Sequence, residues 1–405
     1  DTLPQVIAWY EELIQTHDAR NRGRRFAPAV ELRLAILKGE ARWVKDLERL
    51  VADWPAQPTP YPLLAQLIVT AYLLDREPPA IASAELVTLA ETSEEWPADL
   101  DAVLPPGWFQ DRLRLRLGEA LGNTRWISEA EASLEQRAKP LLVYLRWSLA
   151  GEVVILSVGT WFLIGLVRNR LRVASAPLPP WWRGRDGLTV LVRGAAVGVV
   201  LLLGLLVLAG DLTVVQVLAV PVASLPLLGM AGRYLLEPVG RNLEEGFGLE
   251  PDFGAWSAVG AAVLAIVALG LWGEWFVALA ADVLGLTTHW TESFDENLLW
   301  GDLLDVAITL AGYILIVPIV EELVFRGLLY GTLRRRFGVV LSAVLSAGLF
   351  ALAHGYGWIG WASVFWSGLI WAWAYEQTRS LLPGMVAHAV NNLLVCLTMI
   401  WVYRV

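Results

Sequence analysis

The sequence predicts an all-α fold: a polytopic membrane helix bundle with about eight transmembrane helices, preceded by a soluble α-helical domain. Apolar residues make up 56% of the chain and charged residues 18%, whereas soluble domains usually carry about a quarter charged residues. The charge is uneven, because residues 1–140 hold 16 Lys/Arg and 22 Asp/Glu, and the much longer remainder holds 15 and 18. Beyond residue 147, apolar stretches long enough to cross a bilayer recur.

Residues 1–140 are predicted to form the soluble helical domain. Apolar residues follow a helical spacing in several short segments, and Pro-rich breaks separate them. These segments lie near residues 3–14, 29–37, 41–53, 61–75 and 108–121. A repeat-like arrangement is one option, and a protein partner is the expected ligand of this domain. The acidic composition, without a basic stripe, argues against nucleic acid as a partner. The sequence begins at Asp1 without an initiator Met, so we expect a processed or trimmed chain.

The transmembrane part divides into residues 141–300, whose role the sequence leaves open, and residues 301–405, which carry the polar residues discussed below. The eight predicted spans lie near residues 147–167, 187–209, 212–232, 254–277, 303–325, 337–355, 358–376 and 381–403. Many of the 21 tryptophans stand near the ends of these spans, as an aromatic belt at the membrane interface predicts. Cys396 is the only cysteine, so an intramolecular disulfide is excluded.

The Lys/Arg distribution predicts the orientation of the chain. The loop after the first predicted span is Arg-rich, and Arg334, Arg335 and Arg336 follow the fifth. Four spans separate these two loops, so both can face the cytoplasm. Residues 1–140 would then lie on the non-cytoplasmic side.

Two adjacent carboxylates, Glu321 and Glu322, lie in the fifth predicted span, where an ionisable residue is costly and a functional role is the default hypothesis. A helix separates them by about 100°. Glu322 and Arg326 stand at i and i+4, the spacing of an ion pair. Arg326 would thus neutralise Glu322 and leave Glu321 free to act as a base. The alternative is a structural carboxylate–arginine cluster that holds two helices together.

His354 ends the sixth predicted span, and His388 and Asn392 stand at i and i+4 in the last one, so that both project from one helix face. A lone histidine near a helix end is usually an ordinary interfacial residue. Two histidines, an amide and a free carboxylate in neighbouring apolar helices indicate one buried polar site. Glu152 and Glu274 lack a clear partner in the sequence, and we expect interface exposure for Glu274.

Two chemistries fit these residues. Glu321, His354 and His388 would supply two imidazoles and a carboxylate to a divalent metal such as zinc, with one position open. Without a metal, Glu321, helped by His354, would take a proton from water that attacks a peptide carbonyl, while His388 and Asn392 donate hydrogen bonds to the developing oxyanion. The sequence does not decide between them. We favour the metal-free chemistry because Asn is a better oxyanion donor than zinc ligand.

Three motifs in this order resemble the CPBP family of intramembrane proteases, also called the Abi family, which includes the CAAX prenyl endopeptidases and many bacterial relatives. They are Glu-Glu-x-x-x-Arg at 321–326, Phe-x-x-x-His at 350–354 and His-x-x-x-Asn at 388–392. The resemblance covers roughly residues 300–403 and implies a CAAX-protease-like catalytic core in a bacterial cell membrane. It implies that Glu321 activates water with His354, that His388 and Asn392 stabilise the transition state, and that Glu322 and Arg326 support the site.

The leading hypothesis is therefore an intramembrane endopeptidase, glutamic-type or metal-dependent, that cleaves a membrane-associated protein or peptide. The alternative is a non-catalytic membrane scaffold or assembly factor that binds a partner through its N-terminal helical domain. Retention of every motif residue favours the enzyme. A transporter ranks last, because the sequence shows no internal symmetry between two halves.

Overall fold

The computed structural model describes residues 3–20, 28–73, 103–168, 170–209, 212–286 and 295–403. The chain divides into two compact units, Asp1–Val143 and Tyr144–Val405. We call them the N-terminal unit and the membrane unit. Every regular element in the described ranges is helical.

Short helices build the N-terminal unit around an apolar core. They are α1 (Leu3–Arg20), α2 (Pro28–Glu40), α3 (Val44–Val51), α4 (Tyr61–Tyr72), α5 (Trp108–Leu121) and the first part of α6 (Thr124–Val167). The core contains Leu32, Ile36 and Trp54, which are fully buried. The segment near residues 61–75 is too short to cross a bilayer, and its part from Tyr61 to Tyr72 forms α4, in which Leu64 and Ile68 bury their side chains in this core.

Glu40 at the end of α2 is the main polar junction of the N-terminal unit. Its carboxylate accepts hydrogen bonds from Arg112, from Arg116 Nε at 3.0 Å and from the Tyr72 hydroxyl at 3.1 Å. Burial by itself would raise the pKa of the Glu40 carboxyl, but the hydrogen bonds from Arg116 and Arg112 outweigh burial and hold this pKa below its usual range. The charge of Glu40 therefore contributes to the stability of this unit.

The membrane unit contains the rest of α6 and the longer helices of the chain. They are α7 (Gly184–Ala209), α8 (Thr213–Ala231), α9 (Leu243–Phe247), α10 (Trp256–Leu284), α11 (Glu296–Trp300), α12 (Leu303–Ala311), α13 (Val317–Glu321), α14 (Gly331–Ala353), α15 (Trp358–Thr378) and α16 (Leu382–Tyr403). The helix α8 packs against α7, and α15 packs against both α14 and α10. The result is an all-α helix bundle whose outer surface exposes many large apolar side chains.

Six stretches of the described residues are long and apolar enough to cross a membrane, so the predicted number of eight is not confirmed. One difference arises because residues 303–353 form one apolar stretch. The predicted loop at Arg334–Arg336 is helical, and the chain kinks at Gly338, whose φ is 74°. The other arises at α15, which is rich in Trp and is not among the six stretches.

Two glycines on α7 let α8 approach closely. A Cβ atom added to Gly198 would lie 2.5 Å from the carbonyl oxygen of Ala223, and one added to Gly194 would lie 2.7 Å from the Cα of Leu227. Small residues four apart are typical of closely packed transmembrane helices, because dispersion contacts and not the hydrophobic effect drive helix association in lipid.

The helix that carries the two adjacent carboxylates is interrupted by two π-helical segments, Gly312–Ile316 and Glu322–Tyr330, on either side of α13. Pro318 stands at the start of α13 and has no N–H to continue the α-helical pattern of the preceding turn. At Gly312 the chain passes so close to α8 that a Cβ atom would lie 2.0 Å from Val217 Cγ1. Such wide turns inside α-helices are frequent at functional sites.

Candidate active site

Glu322 and Arg326 form a buried ion pair at the start of the second π-helical segment. Arg326 Nη1 donates a hydrogen bond of 2.9 Å to Glu322 Oε1, and both side chains are at most 1% exposed. The Arg326 guanidinium also lies 4.1 Å from the centroid of the Phe350 ring and 4.8 Å from that of Trp371. The structure therefore shows the ion pair that the i, i+4 spacing predicted. It also shows contacts of Arg326 with Phe350 and Trp371, which the spacing did not predict.

His388 on α16 lies between the two adjacent carboxylates. Its Nε2 is 3.6 Å from Glu321 Oε2, and its Nδ1 is 3.4 Å from Glu322 Oε1. Both distances exceed the usual length of an N–H···O hydrogen bond, so these contacts are electrostatic. The packing of α16 thus places the His388 imidazole next to both Glu321 and Glu322, the two glutamates at the end of α13.

Aromatic rings fix the orientation of His388. The ring of Trp371 on α15 stacks on the imidazole with a centroid distance of 4.1 Å and an interplanar angle of 22°. The Phe350 ring stands nearly perpendicular to it, at 89° and 6.1 Å. Because Trp371 also faces the Arg326 guanidinium, one indole contacts both the imidazole and the ion pair. Nothing in the Trp-rich sequence of α15 distinguishes Trp371 from its neighbours, so the sequence alone did not identify it.

The two adjacent carboxylates differ in access. The Glu321 side chain is 19% exposed, whereas that of Glu322 is 1% exposed. Arg326 bonds to Glu322, and His388 lies 3.6 Å from Glu321. Glu321 is accordingly the more exposed of the two carboxylates.

His354 lies at the C-terminal end of α14, beside the Phe350 ring at a centroid distance of 4.7 Å. Its Nδ1 is 2.8 Å from the carbonyl oxygen of Phe350. This contact requires a proton on Nδ1 and leaves Nε2 as the acceptor nitrogen when the ring is neutral. The structure shows no direct hydrogen bond between His354 and Glu321, both of which it describes. Phe350 is the shared neighbour of His354 and His388.

Asn392 lies on the same face of α16 as His388 and reaches the first π-helical segment. Its Nδ2 donates a hydrogen bond of 2.9 Å to the carbonyl oxygen of Tyr313. An amide nitrogen carries two hydrogens, so one stays free for another acceptor. The predicted common face of His388 and Asn392 is present, but each side chain contacts a different part of the interrupted helix.

The proposed metal ligands do not form a metal-binding group. Among the residues that the structure describes, no three His, Cys, Asp or Glu side chains are arranged to hold one metal ion. Glu321 and His388 approach each other, but His354 bonds to its own helix instead. The donor set of Glu321, His354 and His388 therefore does not fit a metal here, and no step below uses one.

Two further glutamates in the membrane unit have protein partners. Glu274, for which we expected interface exposure, is half-buried and accepts a hydrogen bond of 2.9 Å from the Ser363 hydroxyl. Glu376, which no motif in the sequence pointed to, accepts hydrogen bonds from the Tyr330 hydroxyl and from Arg334 Nε at 2.6 Å. Both carboxylates join neighbouring helices and lie outside the candidate site.

Comparison with known families identifies the segment that contains this geometry. Residues 303–394 match the family model described as type II CAAX prenyl endopeptidase Rce1-like. This segment is similar to the type II CAAX prenyl endopeptidases. It includes all six predicted site residues, which are Glu321, Glu322, Arg326, His354, His388 and Asn392. The match therefore confirms the resemblance to the CPBP family over residues 303–394. No curated protein and no solved structure matches the chain.

The match and the six apolar stretches together make the chain a multi-pass integral membrane protein with a CAAX-protease-type segment. The side of the membrane that holds the N-terminal unit stays a prediction from the Lys/Arg distribution. The binding of a protein partner by that unit also stays a prediction.

Proposed function

We propose that the membrane unit hydrolyses a peptide bond in a membrane-associated protein or peptide, with Glu321 as the general base. The observation that supports this proposal is the asymmetry of the two adjacent carboxylates. Glu322 is buried and paired with Arg326, whereas Glu321 is partly exposed and faces His388. A carboxylate that is accessible and lacks an arginine partner is free to accept a proton.

Glu321 takes a proton from a water molecule while the water oxygen attacks the carbonyl carbon of the substrate. Glu321 then gives this proton to the departing amine as the carbon–nitrogen bond breaks, which returns the carboxylate to its starting state. The free amide hydrogen of Asn392 donates a hydrogen bond to the oxyanion of the tetrahedral intermediate, and so does the Nε2–H of His388 when both ring nitrogens of this imidazole carry a proton. His354 Nε2 is available to orient the water, since Nδ1 is bonded to Phe350.

The ion pair has a supporting role in this mechanism. Arg326 pairs with the Glu322 carboxylate at membrane depth, where an unpaired charge is costly. Glu322 lies 3.4 Å from His388 Nδ1, and Trp371 stacks on the face of the imidazole. The ion pair and the indole together fix the position of this ring.

The test is Glu321→Gln, which keeps the shape of the side chain and removes its basicity. We expect the variant to cleave about 100- to 10,000-fold more slowly, the usual contribution of a general base, and to unfold at the same temperature as the wild type. The substrate is a fluorescence-quenched farnesylated CAAX peptide, chosen from the family match, with purified protein in liposomes. Comparison of the membrane proteomes of cells with wild-type protein and with Glu321→Gln then searches for the natural substrate, which accumulates in the variant.

Glu274→Gln is the matched control, because Glu274 is another half-buried carboxylate of the membrane unit and its hydrogen bond to Ser363 can be kept by an amide oxygen. Cleavage at the wild-type rate by Glu321→Gln would refute Glu321 as the base. If Glu321→Gln fully replaces the wild-type protein in cells and no membrane protein accumulates there, the scaffold alternative is favoured.

A further inference from the structure

A chain of hydrogen bonds connects Asn392 to the short helix α11 through Tyr313. Asn392 Nδ2 donates to the Tyr313 carbonyl oxygen at 2.9 Å. The Tyr313 hydroxyl donates to Asp295 Oδ2 at 2.8 Å. The other oxygen of Asp295, Oδ1, accepts the backbone N–H of Leu298 at 2.9 Å and caps α11.

The Tyr313 carbonyl lies in the π-helical segment Gly312–Ile316, whose backbone departs from the α-helical pattern. The position of such a carbonyl depends on the contacts that hold the wide turn in place. Two contacts hold this turn in place. The Tyr313 hydroxyl donates a hydrogen bond to Asp295, and Gly312 approaches Val217 closely. The acceptor that orients the Asn392 amide is thus itself held by Asp295.

The helix α11 is a fixed anchor in the membrane unit. Leu298 and Leu299 are buried against Cys396 and Met399 of α16. In addition, Asn297 Nδ2 donates a hydrogen bond of 3.1 Å to Gln216 Oε1 on α8. Asp295 is therefore attached to a helix that packs on α16, the helix that carries Asn392.

We propose that Tyr313 is a positioning residue of the active site: its hydroxyl bond to Asp295 holds the wide turn whose carbonyl aims the Asn392 amide at the oxyanion. This inference rests on the proposed function and deepens it. Tyr313 touches no reacting atom in this role and acts through Asn392. A small rotation of the amide moves its free hydrogen away from the oxyanion, and misplacement by about 1 Å costs up to about 100-fold in rate.

Two variants test the connection from its two ends. Tyr313→Phe removes the hydroxyl and keeps the ring. Asp295→Asn keeps a capping oxygen for α11, because Asn is as good an N-cap residue as Asp, and replaces the acceptor of the tyrosine hydroxyl with an amide. We expect each to lower kcat on the farnesylated peptide about tenfold with KM within about twofold of the wild type, because the interaction forms in the transition state.

Tyr144→Phe is the matched control. The Tyr144 hydroxyl lies 2.7 Å from Thr398 Oγ1 on α16, the helix that carries Asn392, and the Tyr144 ring stacks on Trp401. The variant therefore also removes one contact between a tyrosine hydroxyl and α16, at a position C-terminal to Asn392. We expect wild-type kcat and KM for this variant.

The double variant Tyr313→Phe with Asn392→Ala separates positioning from general structural support. Asn392→Ala alone should lower kcat about 100-fold, as loss of one oxyanion donor does. Since Tyr313 acts through Asn392, Tyr313→Phe should have no further effect in that background. A tenfold further loss there, or a kcat for Tyr313→Phe equal to that of Tyr144→Phe, would overturn the proposal.

A readout without catalysis keeps this test distinct from that of the proposed function. In protein labelled with ¹⁵N in its asparagine side chains, the Asn392 amide signal is assigned by its loss in Asn392→Ala. We expect Tyr313→Phe and Asp295→Asn to shift this signal and Tyr144→Phe to leave it unchanged. If the wild type does not cleave the peptide and no membrane protein accumulates in cells with Glu321→Gln, the proposed function fails. An unshifted amide signal would separately overturn the positioning role.

Discussion

The buried ion pair of Glu322 and Arg326 allows a quantitative prediction about stability. Both side chains are at most 1% exposed and are joined at 2.9 Å. Arg326→Met leaves the Glu322 charge buried without its partner, which costs about 3–5 kcal/mol of unfolding free energy. Loss of the guanidinium contact with Phe350, at 4.1 Å, contributes up to about 2 kcal/mol of that cost when the cation is desolvated. Glu322→Leu should destabilise the unit similarly, because it leaves Arg326 unpaired.

The double variant Glu322→Leu with Arg326→Met removes both charges and both desolvation costs. We expect its unfolding free energy to lie within about 2 kcal/mol of the wild type, since apolar replacement of a whole buried pair is often neutral. The two single losses would then be far from additive, as expected for residues in direct contact.

The assay is unfolding in mixed micelles of dodecyl maltoside and increasing sodium dodecyl sulfate, followed by the helical circular dichroism signal. Arg233→Met is the control, because Arg233 and Glu237 form an i, i+4 pair whose side chains are 71% and 54% exposed, and such exposed pairs add little stability. A double variant as unstable as the two single losses added together would refute the reasoning, because the two charges would then contribute independently.

Two further predictions concern packing and pH. Gly198→Ala places a methyl group 2.5 Å from the Ala223 carbonyl and should destabilise the membrane unit in the same assay. Gly204→Ala on the same helix, with open space around it, should not, because Ala favours a helix by about 1 kcal/mol over Gly. In the N-terminal unit, Glu40 has a lowered pKa, so its stabilisation is present above the unfolded-state pKa of about 4.3 and is lost as pH falls through the lower folded-state value. Urea unfolding of the whole chain in micelles should show this loss between neutral and acid pH, and Glu40→Gln should remove that part of the pH dependence.

The sequence predicted the contacts that arise within one helix. The i, i+4 spacing of Glu322 and Arg326 and the common face of His388 and Asn392 follow from helix geometry alone. The placement of His388 between two carboxylates depends on how α16 packs against the interrupted helix, which no spacing in the sequence reports. The partnership predicted for Glu321 and His354 also depends on packing between helices and stays a prediction. The structure shows only that His354 Nδ1 is bonded to the carbonyl oxygen of Phe350.

The number of spans and the wide turns could not be predicted for two physical reasons. Apolar length does not show whether a helix continues through an Arg-rich segment, as it does from Gly331 to the break at Gly338. A π-helical turn also follows no α-helical period, so Tyr313 appeared in the sequence only as one more aromatic residue in a span. Its contacts with Asn392 and Asp295 become visible only in three dimensions.

The two wide turns around α13 also affect how this helix tolerates changes of length. A π-helical turn closes hydrogen bonds one residue farther along the chain than an α-helical turn does. Each wide turn therefore contains one residue more than an α-helical turn in the same place. Deletion of one residue from Gly312–Ile316 would let the backbone return to α-helix with its hydrogen bonds intact. The same deletion would leave Glu321 facing nearly the same direction, because the restored α-helical turn closes with one residue fewer. A deletion of one residue from the α-helical part Leu303–Ala311 would instead rotate Glu321 by about 100° relative to the part of the helix before it and turn it away from His388.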